Sequence, residues 1–211
     1  GALRKGDLTV TADVTGTELT TGIPTLDPVV DGRLIMSGEV ARRDGALDIR
    51  ELAMETPQLV ANAKGQAPGK PVRLSARLAD LGLIAPGFSG PLTVDGDLRP
   101  TDIARGRWEV SLRADGPGGA RARISGDLAD YGRELGLVLR GSAPLGLANN
   151  FIAPRSLQGT AEFDLRVNGR PRLSSVSGQA RLPGARAALP ALNTAVTGIT
   201  GTVRLGGGRA D

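Results

Sequence analysis

Apolar and polar residues alternate strictly from Arg107 to Ala114, so that Trp108, Val110, Leu112 and Ala114 fall on one face and Arg107, Glu109, Ser111 and Arg113 on the other. Such a period of two predicts a strand with one half-buried face. The pattern returns at Leu8/Val10/Ala12/Val14, Leu34/Met36/Gly38/Val40, Val72/Leu74/Ala76/Leu78, Ala120/Ala122/Ile124/Gly126/Leu128 and Ala161/Phe163/Leu165/Val167. It predicts strands over 7–14, 33–42, 46–55, 58–64, 72–78, 91–99, 107–114, 120–128, 134–140 and 160–168, with little helix between them. Each strand therefore carries an apolar face that something has to cover.

Asp44-Gly45 predicts a tight hairpin, because both residues tolerate the positive φ that such a turn requires. Thr20 to Pro28 reads as a looser connection. Gly65-Gln66-Ala67-Pro68-Gly69-Lys70-Pro71 superficially resembles a phosphate loop, but it is one residue short, Pro71 replaces the required hydroxyl and no helix follows. Two apolar segments interrupt the strands, Leu81-Gly82-Leu83-Ile84-Ala85-Pro86-Gly87-Phe88-Ser89-Gly90 and Leu145-Gly146-Leu147-Ala148-Asn149-Asn150-Phe151-Ile152-Ala153-Pro154. Each follows an alternating strand, leads into another, and predicts one or two helical turns. Duplication on this scale argues for an elongated architecture whose units stack on their neighbours.

Five strands place glycine where the alternation calls for an apolar side chain: Gly38, Gly96, Gly126, Gly178 and Gly201. Glycine inside a strand marks a bend, a bulge or a close approach. One reading is that these glycines let a long sheet curl; the other is that a row of missing side chains hollows the apolar face to receive a ligand chain. The two are compatible, since a sheet that curls at glycine becomes a trough. The expected fold is all-β: an elongated, curled sheet forming an apolar trough, with one or two short helical turns. It spans 1–211 as a single repetitive segment, with strand groups at 1–69, 70–140 and 141–205, the third related to the second, and a tail at 206–211.

Composition narrows the function. The chain of 211 residues has no cysteine and no histidine, which removes thiol catalysis, disulfides, the commonest general base and the commonest metal ligand. Carboxylate pairs such as Glu162/Asp164 and Asp95/Asp97 lie on the polar faces among arginines, where solvated charge explains them. No active site, metal or cofactor is expected. The 31 glycines, 14 prolines and 2% aromatics favour many short strands and turns over a core built on large rings. The net charge of +4 comes almost wholly from arginines interspersed with acids, and with one Trp and one Tyr there is no stacking surface for nucleic acid. The opening at Gly1, the closing Gly206-Gly207-Gly208, and the lack of an apolar run near the ~20 residues of a membrane span suggest a segment of a longer protein whose anchor lies elsewhere.

Three strings carry a resemblance. They are Leu78-Ala79-Asp80-Leu81-Gly82-Leu83-Ile84-Ala85-Pro86-Gly87-Phe88-Ser89-Gly90-Pro91-Leu92, then Leu157-Gln158-Gly159-Thr160-Ala161-Glu162-Phe163-Asp164-Leu165-Arg166-Val167-Asn168-Gly169 with Val176-Ser177-Gly178-Gln179-Ala180, and the closing Leu192-Asn193-Thr194-Ala195-Val196-Thr197-Gly198-Ile199-Thr200-Gly201. Over roughly 70–205 the chain resembles an internal segment of the TamB family, the inner-membrane-anchored subunit of the bacterial translocation and assembly module, and more broadly the AsmA-like, bridge-like lipid transfer proteins. The resemblance implies a β-taco in the periplasm, in a parent protein anchored in the inner membrane of a Gram-negative bacterium. It also implies phospholipid acyl chains as cargo, a role in outer-membrane biogenesis, and a TamA-like outer-membrane barrel as partner through regions outside this segment. The membrane helix and the barrel-engaging segment of the family have no counterpart here.

The residues support lipid conduction on their own terms. Exposing an acyl chain of ~15 methylenes to water costs on the order of 12 kcal/mol, at ~0.8 kcal/mol per group. About a dozen strands at ~4.8 Å give roughly 55 to 60 Å of trough. The expected lining is Leu34, Met36, Val40, Leu74, Leu92, Val94, Trp108, Val110, Leu112, Ile124, Leu135, Leu137, Leu139, Phe163, Leu165 and Val203, thinned at the five glycines. Two alternatives stand beside it: a chaperone-like scaffold that holds outer-membrane β-strands by strand addition, and a structural solenoid or adhesin-like stalk.

Overall fold

The computed structural model describes residues 8–17, 27–43, 46–65, 70–102, 105–207 and 209–210. Their strands, in chain order, are β1 (Leu8–Thr17), β2 (Arg33–Arg43), β3 (Ala46–Glu55), β4 (Leu59–Gly65), β5 (Val72–Leu78), β6 (Leu92–Asp102), β7 (Arg107–Asp115), β8 (Arg121–Ala129), β9 (Glu134–Pro144), β10 (Ser156–Gln158), β11 (Thr160–Gly169), β12 (Val176–Leu189), β13 (Thr194–Gly206) and β14 (Arg209–Ala210). Two helical pieces of four residues, α1 (Asp27–Val30) and α2 (Asn149–Ile152), and a few single 3-10 turns complete the described elements.

All fourteen strands belong to one antiparallel sheet, in which successive strands pair in chain order except that β9 pairs β11 and β10 lies off the path, against β12. The sheet is open and curled. Its thirteen path strands at ~4.8 Å spacing make a strip about 58 Å long. β10 and β11 lie end to end along β12, one against 186–188 and the other against 176–181, with Gly159 as the break between them.

Alternation decides which side chains share a face, and registration then joins the faces across strands. Along one row the paired residues are Ala12, Gly38, Leu52, Ala63, Leu74, Gly96, Leu112, Ile124, Leu139, Leu165, Gly178 and Leu205, one from each of β1 to β9 and β11 to β13. A second row runs Val14, Met36, Met54, Ala61, Ala76, Val94, Ala114, Ala122, Gly141, Phe163, Ala180 and Val203. No polar residue interrupts either. A one-residue slip of any strand would bring a polar or charged residue into at least one of the rows, so the pattern itself fixes the register.

The opposite face holds the charges, and its ion pairs join direct cross-strand partners. Arg140 Nε lies 2.9 Å from Asp164 Oδ2, Arg99 Nη1 3.3 Å from Glu109 Oε2, Arg121 Nε 3.6 Å from Asp115 Oδ1 and Lys64 Nζ 3.7 Å from Glu51 Oε1. Arg50, the extra residue where β3 bulges against β2, pairs with Glu39. These pairs are exposed, so each is worth roughly 0.2–1 kcal/mol and serves registration more than stability.

Among the described residues no helical cover comparable in size to the sheet lies over the apolar face. At 1.5 Å per residue α1 and α2 are each about 6 Å long, against a strip of about 58 Å. The buried apolar residues among those described are Val29, Leu34, Ala41, Val72, Leu78, Val110 and Ala185, scattered over α1, β2, β5, β7 and β12 rather than gathered into one core. Yet most apolar-face residues of the central strands are half-buried while their polar neighbours are exposed, as along β7, β8 and β11. With little packed against either face, that asymmetry marks the apolar face as the inside of the curl.

Strands expected from alternation appear where the pattern places them, most of them extended by a few residues. β12 and β13 are the strands expected around Gly178 and Gly201, for which the alternation set no bounds. The Asp44-Gly45 turn and 66–69 of the discarded loop fall outside the described residues, although Arg43 and Ala46 pair as a hairpin there requires. Thr20 to Leu26 also lies outside them; the described end of that connection forms α1, where the Val29 carbonyl accepts the buried Thr56 hydroxyl at 2.8 Å.

Candidate functional site

The inner face is the largest continuous feature of one chemical character in the molecule. Trp108, Val110, Leu112 and Ala114 cross it on β7, six residue steps or about 20 Å at ~3.4 Å per residue. Unrolled, the lining is therefore about 20 Å by 58 Å. All sixteen residues expected to line it occupy inner positions of their strands. Leu74, Leu112, Ile124, Leu139 and Leu165 lie in the first row, and Met36, Val94, Phe163 and Val203 in the second. Val110 and Leu137 face each other across Gly126, Trp108 and Leu135 across Leu128, and Leu92 lies opposite Leu78. Leu34 and Val40 lie on β2 in phase with Met36. Their exposure differs: Val110 is 2% exposed and Leu34 6%, whereas Met36 is 37% exposed.

The glycines show how the face becomes concave. Gly126 has φ +135°, and a Cβ there would run into the Gly136 carbonyl oxygen on β9. Gly178 has the same φ, and its Cβ would strike the Asp164 carbonyl on β11. The neighbouring backbone occupies the space a side chain would need, so glycine at these positions lets the adjacent strand approach closely. At Gly96 the obstruction is again a backbone carbonyl, that of Ser111, but at Gly38 it is the end of the Leu52 side chain. Around Gly201 nothing lies within 4 Å of such a Cβ. Gly141 was not singled out from the sequence, yet its Cβ would meet the Arg121 carbonyl and the Ala122 Cα. Its signal was present in the alternation of Leu135, Leu137, Leu139 and Gly141.

One rim is built from the duplicated inserts. The first is pinned by Asp80, whose Oδ1 accepts from the Gly82 amide at 2.9 Å and the Gly90 amide at 2.8 Å. Those two amides, Gly90 foremost, hold its carboxyl below the ordinary value of 3.8. In the second, Asn149 exchanges hydrogen bonds with the Leu157 backbone, accepting from its N at 2.7 Å and donating to its O at 3.3 Å. The inserts then meet: Asn150 Nδ2 donates to the Gly87 carbonyl at 2.9 Å, and the Phe88 and Phe151 rings lie 5.3 Å apart. Four strands separate their points of insertion, β6 to β9, a span of about 19 Å on a flat sheet. The curl and the length of the inserts together close that gap.

Among the described residues there is no group of three or more His, Cys, Asp or Glu placed to hold a metal ion, and no helix long and apolar enough to cross a membrane. Glu162 and Asp164, with Asp95 and Asp97, lie on the outer face, where Asp164 is taken by Arg140 and Asp97 by Arg73 at 3.9 Å.

These features define a class: an open, curled antiparallel sheet with a continuous apolar lining and a charged exterior. No protein-family model matches the chain, no curated protein matches it, and no solved structure matches it.

Proposed function

We propose that this chain is a TamB-like periplasmic segment that carries phospholipid acyl chains along its inner face, in support of outer-membrane biogenesis. The observation that carries the reading is the pair of unbroken apolar rows across twelve strands, half-buried in the central strands and, among the described residues, without a covering layer. Monomeric proteins rarely leave contiguous apolar area of this extent without an apolar partner. An acyl chain lying along the rows keeps its methylenes out of water at every step, so movement between neighbouring positions needs no reaction. The headgroup stays at the open side of the trough.

The reading is tested with a photo-crosslinking amino acid at alternate positions of one strand, in cells or with phospholipid vesicles. Leu112 and Ile124 are expected to label lipid, and Glu109 and Asp127, on the outer face of the same two strands, to give none. Equal labelling from both faces would refute it. A second reading, a scaffold for client β-strands, is favoured by the edge of β1, where Leu8–Thr17 pairs β2 on one side and no described strand on the other. It predicts crosslinks from Thr9 or Thr11 to polypeptide, with lipid absent at Leu112.

A further inference from the structure

On the outer face the register brings three arginines into one line. Arg113 of β7 pairs Arg123 of β8, and Arg123 pairs Arg140 of β9. Like charges directly opposite each other across strands repel, and side chains so paired have Cβ atoms only about 5 Å apart. Elsewhere on this face the registered partner of a charge is often of opposite sign, as at Glu51 and Lys64 or Arg99 and Glu109. Here the acids stand at the flanks. Asp164 takes Arg140 at 2.9 Å, Asp115 takes Arg121 at 3.6 Å, and Asp95 is the registered neighbour of Arg113 without an ion pair to it. Among the described residues neither Arg113 nor Arg123 makes an ion pair.

The next row supplies a floor. Ser111 pairs Ser125, and Ser125 pairs Val138, so two hydroxyls and one short apolar side chain lie beside the three guanidinium groups. Together with Leu112, Ile124 and Gly141 of the same strands they line a depression of about 450 Å³. Guanidinium forks bind phosphate oxygens in bidentate fashion, and serine hydroxyls donate to the oxygens left over. An anion there would also offset the repulsion between Arg113 and Arg123, which no acid pairs.

We propose that the Arg113–Arg123–Arg140 row and its serine floor form a binding site for a phosphate group, supplied by a lipid headgroup or by free phosphate. Arg123 is its centre, with Arg113 and Arg140 on either side. Its arginines and serines belong to the outer face, so the site stands or falls independently of what occupies the inner face.

Calorimetric titration with inorganic phosphate, and co-sedimentation with phosphatidylcholine vesicles with and without phosphatidic acid, test it on the whole chain. Saturable phosphate binding, weakened about tenfold or more in both Arg123→Gln and Arg113→Gln, is expected. Asp164→Asn, which frees Arg140, should tighten binding. Sedimentation only with phosphatidic acid, lost in the same variants, assigns the site to a headgroup; phosphate binding without sedimentation assigns it to free phosphate. Each of these supports the proposal. Absence of both, or binding unchanged in the two arginine variants while circular dichroism shows the sheet intact, would overturn it.

Discussion

The central strands and the terminal strands carry the same alternation but bury it differently. On β7, Val110 is 2% exposed; on β1, Val10 is 52% and Val14 43% exposed, and on β13 Val196 is 47% exposed. The glycines divide the same way. Gly96, Gly126, Gly141 and Gly178 face a neighbouring backbone, Gly38 of β2 faces a flexible side chain, and Gly201 of β13 faces open space. Alternation sorts residues onto faces, but how far each is buried depends on its place in the curled sheet, and in its interior backbone approaches backbone at glycine.

The sharpest way to break this comparison is to add a side chain at both kinds of glycine. Gly126→Val or Gly178→Val combines a positive φ with a collision against a carbonyl and is expected to cost about 3 kcal/mol or more in denaturant unfolding. Gly201→Val should change stability by less than about 0.5 kcal/mol, since no atom stands in its way. Equal losses at both sites would mean that the curl does not reside in the central glycines. Next in size is truncation of the lining. Val110→Ala removes two buried methyl equivalents and should cost about 2 kcal/mol, whereas Val14→Ala should cost a few tenths.

Smaller effects sharpen the contrast between the rim and the outer face. Asp164→Ala removes an exposed ion pair and should cost about 0.5 kcal/mol, with the loss fading in high salt. At the rim, the Asp80 carboxyl is held below 3.8, so its contribution is fully present above that value and is lost as pH falls through its lower folded value. The Gly82 and Gly90 amide resonances should therefore shift together with a midpoint below 3.8, and a midpoint at or above 3.8 would show that their hydrogen bonds to Asp80 are absent in solution.

Much of this was legible in the sequence for one physical reason: a strand with one wet face declares its period. Trp108, Val110, Leu112 and Ala114 share a face on any register, so the lining could be named before any pairing was known. The pairing itself was not legible. Gly96 and Gly201 sit in similar strings, Asp95-Gly96-Asp97 and Thr200-Gly201-Thr202, yet only Gly96 meets a carbonyl, because that depends on how closely the partner strand approaches. The arginine row was hidden likewise: Arg113, Arg123 and Arg140 are unremarkable alone and become a line only through two registers. The meeting of the inserts joins Gly87 to Asn150 across 63 positions, which the duplication suggested in kind but not in place.

The register also decides between variants for probing the lining. Val110 and Leu137 both face inward, but Val110 is buried and an arginine there would strain the sheet, whereas Leu137 is only half-buried. Leu137→Arg is the cleaner probe.

The most direct measurement is native mass spectrometry of the chain purified from cells in a non-lipid detergent, beside Leu137→Arg prepared identically. The account predicts phospholipid adducts on the unaltered chain, strongly reduced in Leu137→Arg while circular dichroism remains that of the intact sheet. A lipid-free chain, or adducts undiminished by the arginine, would contradict it.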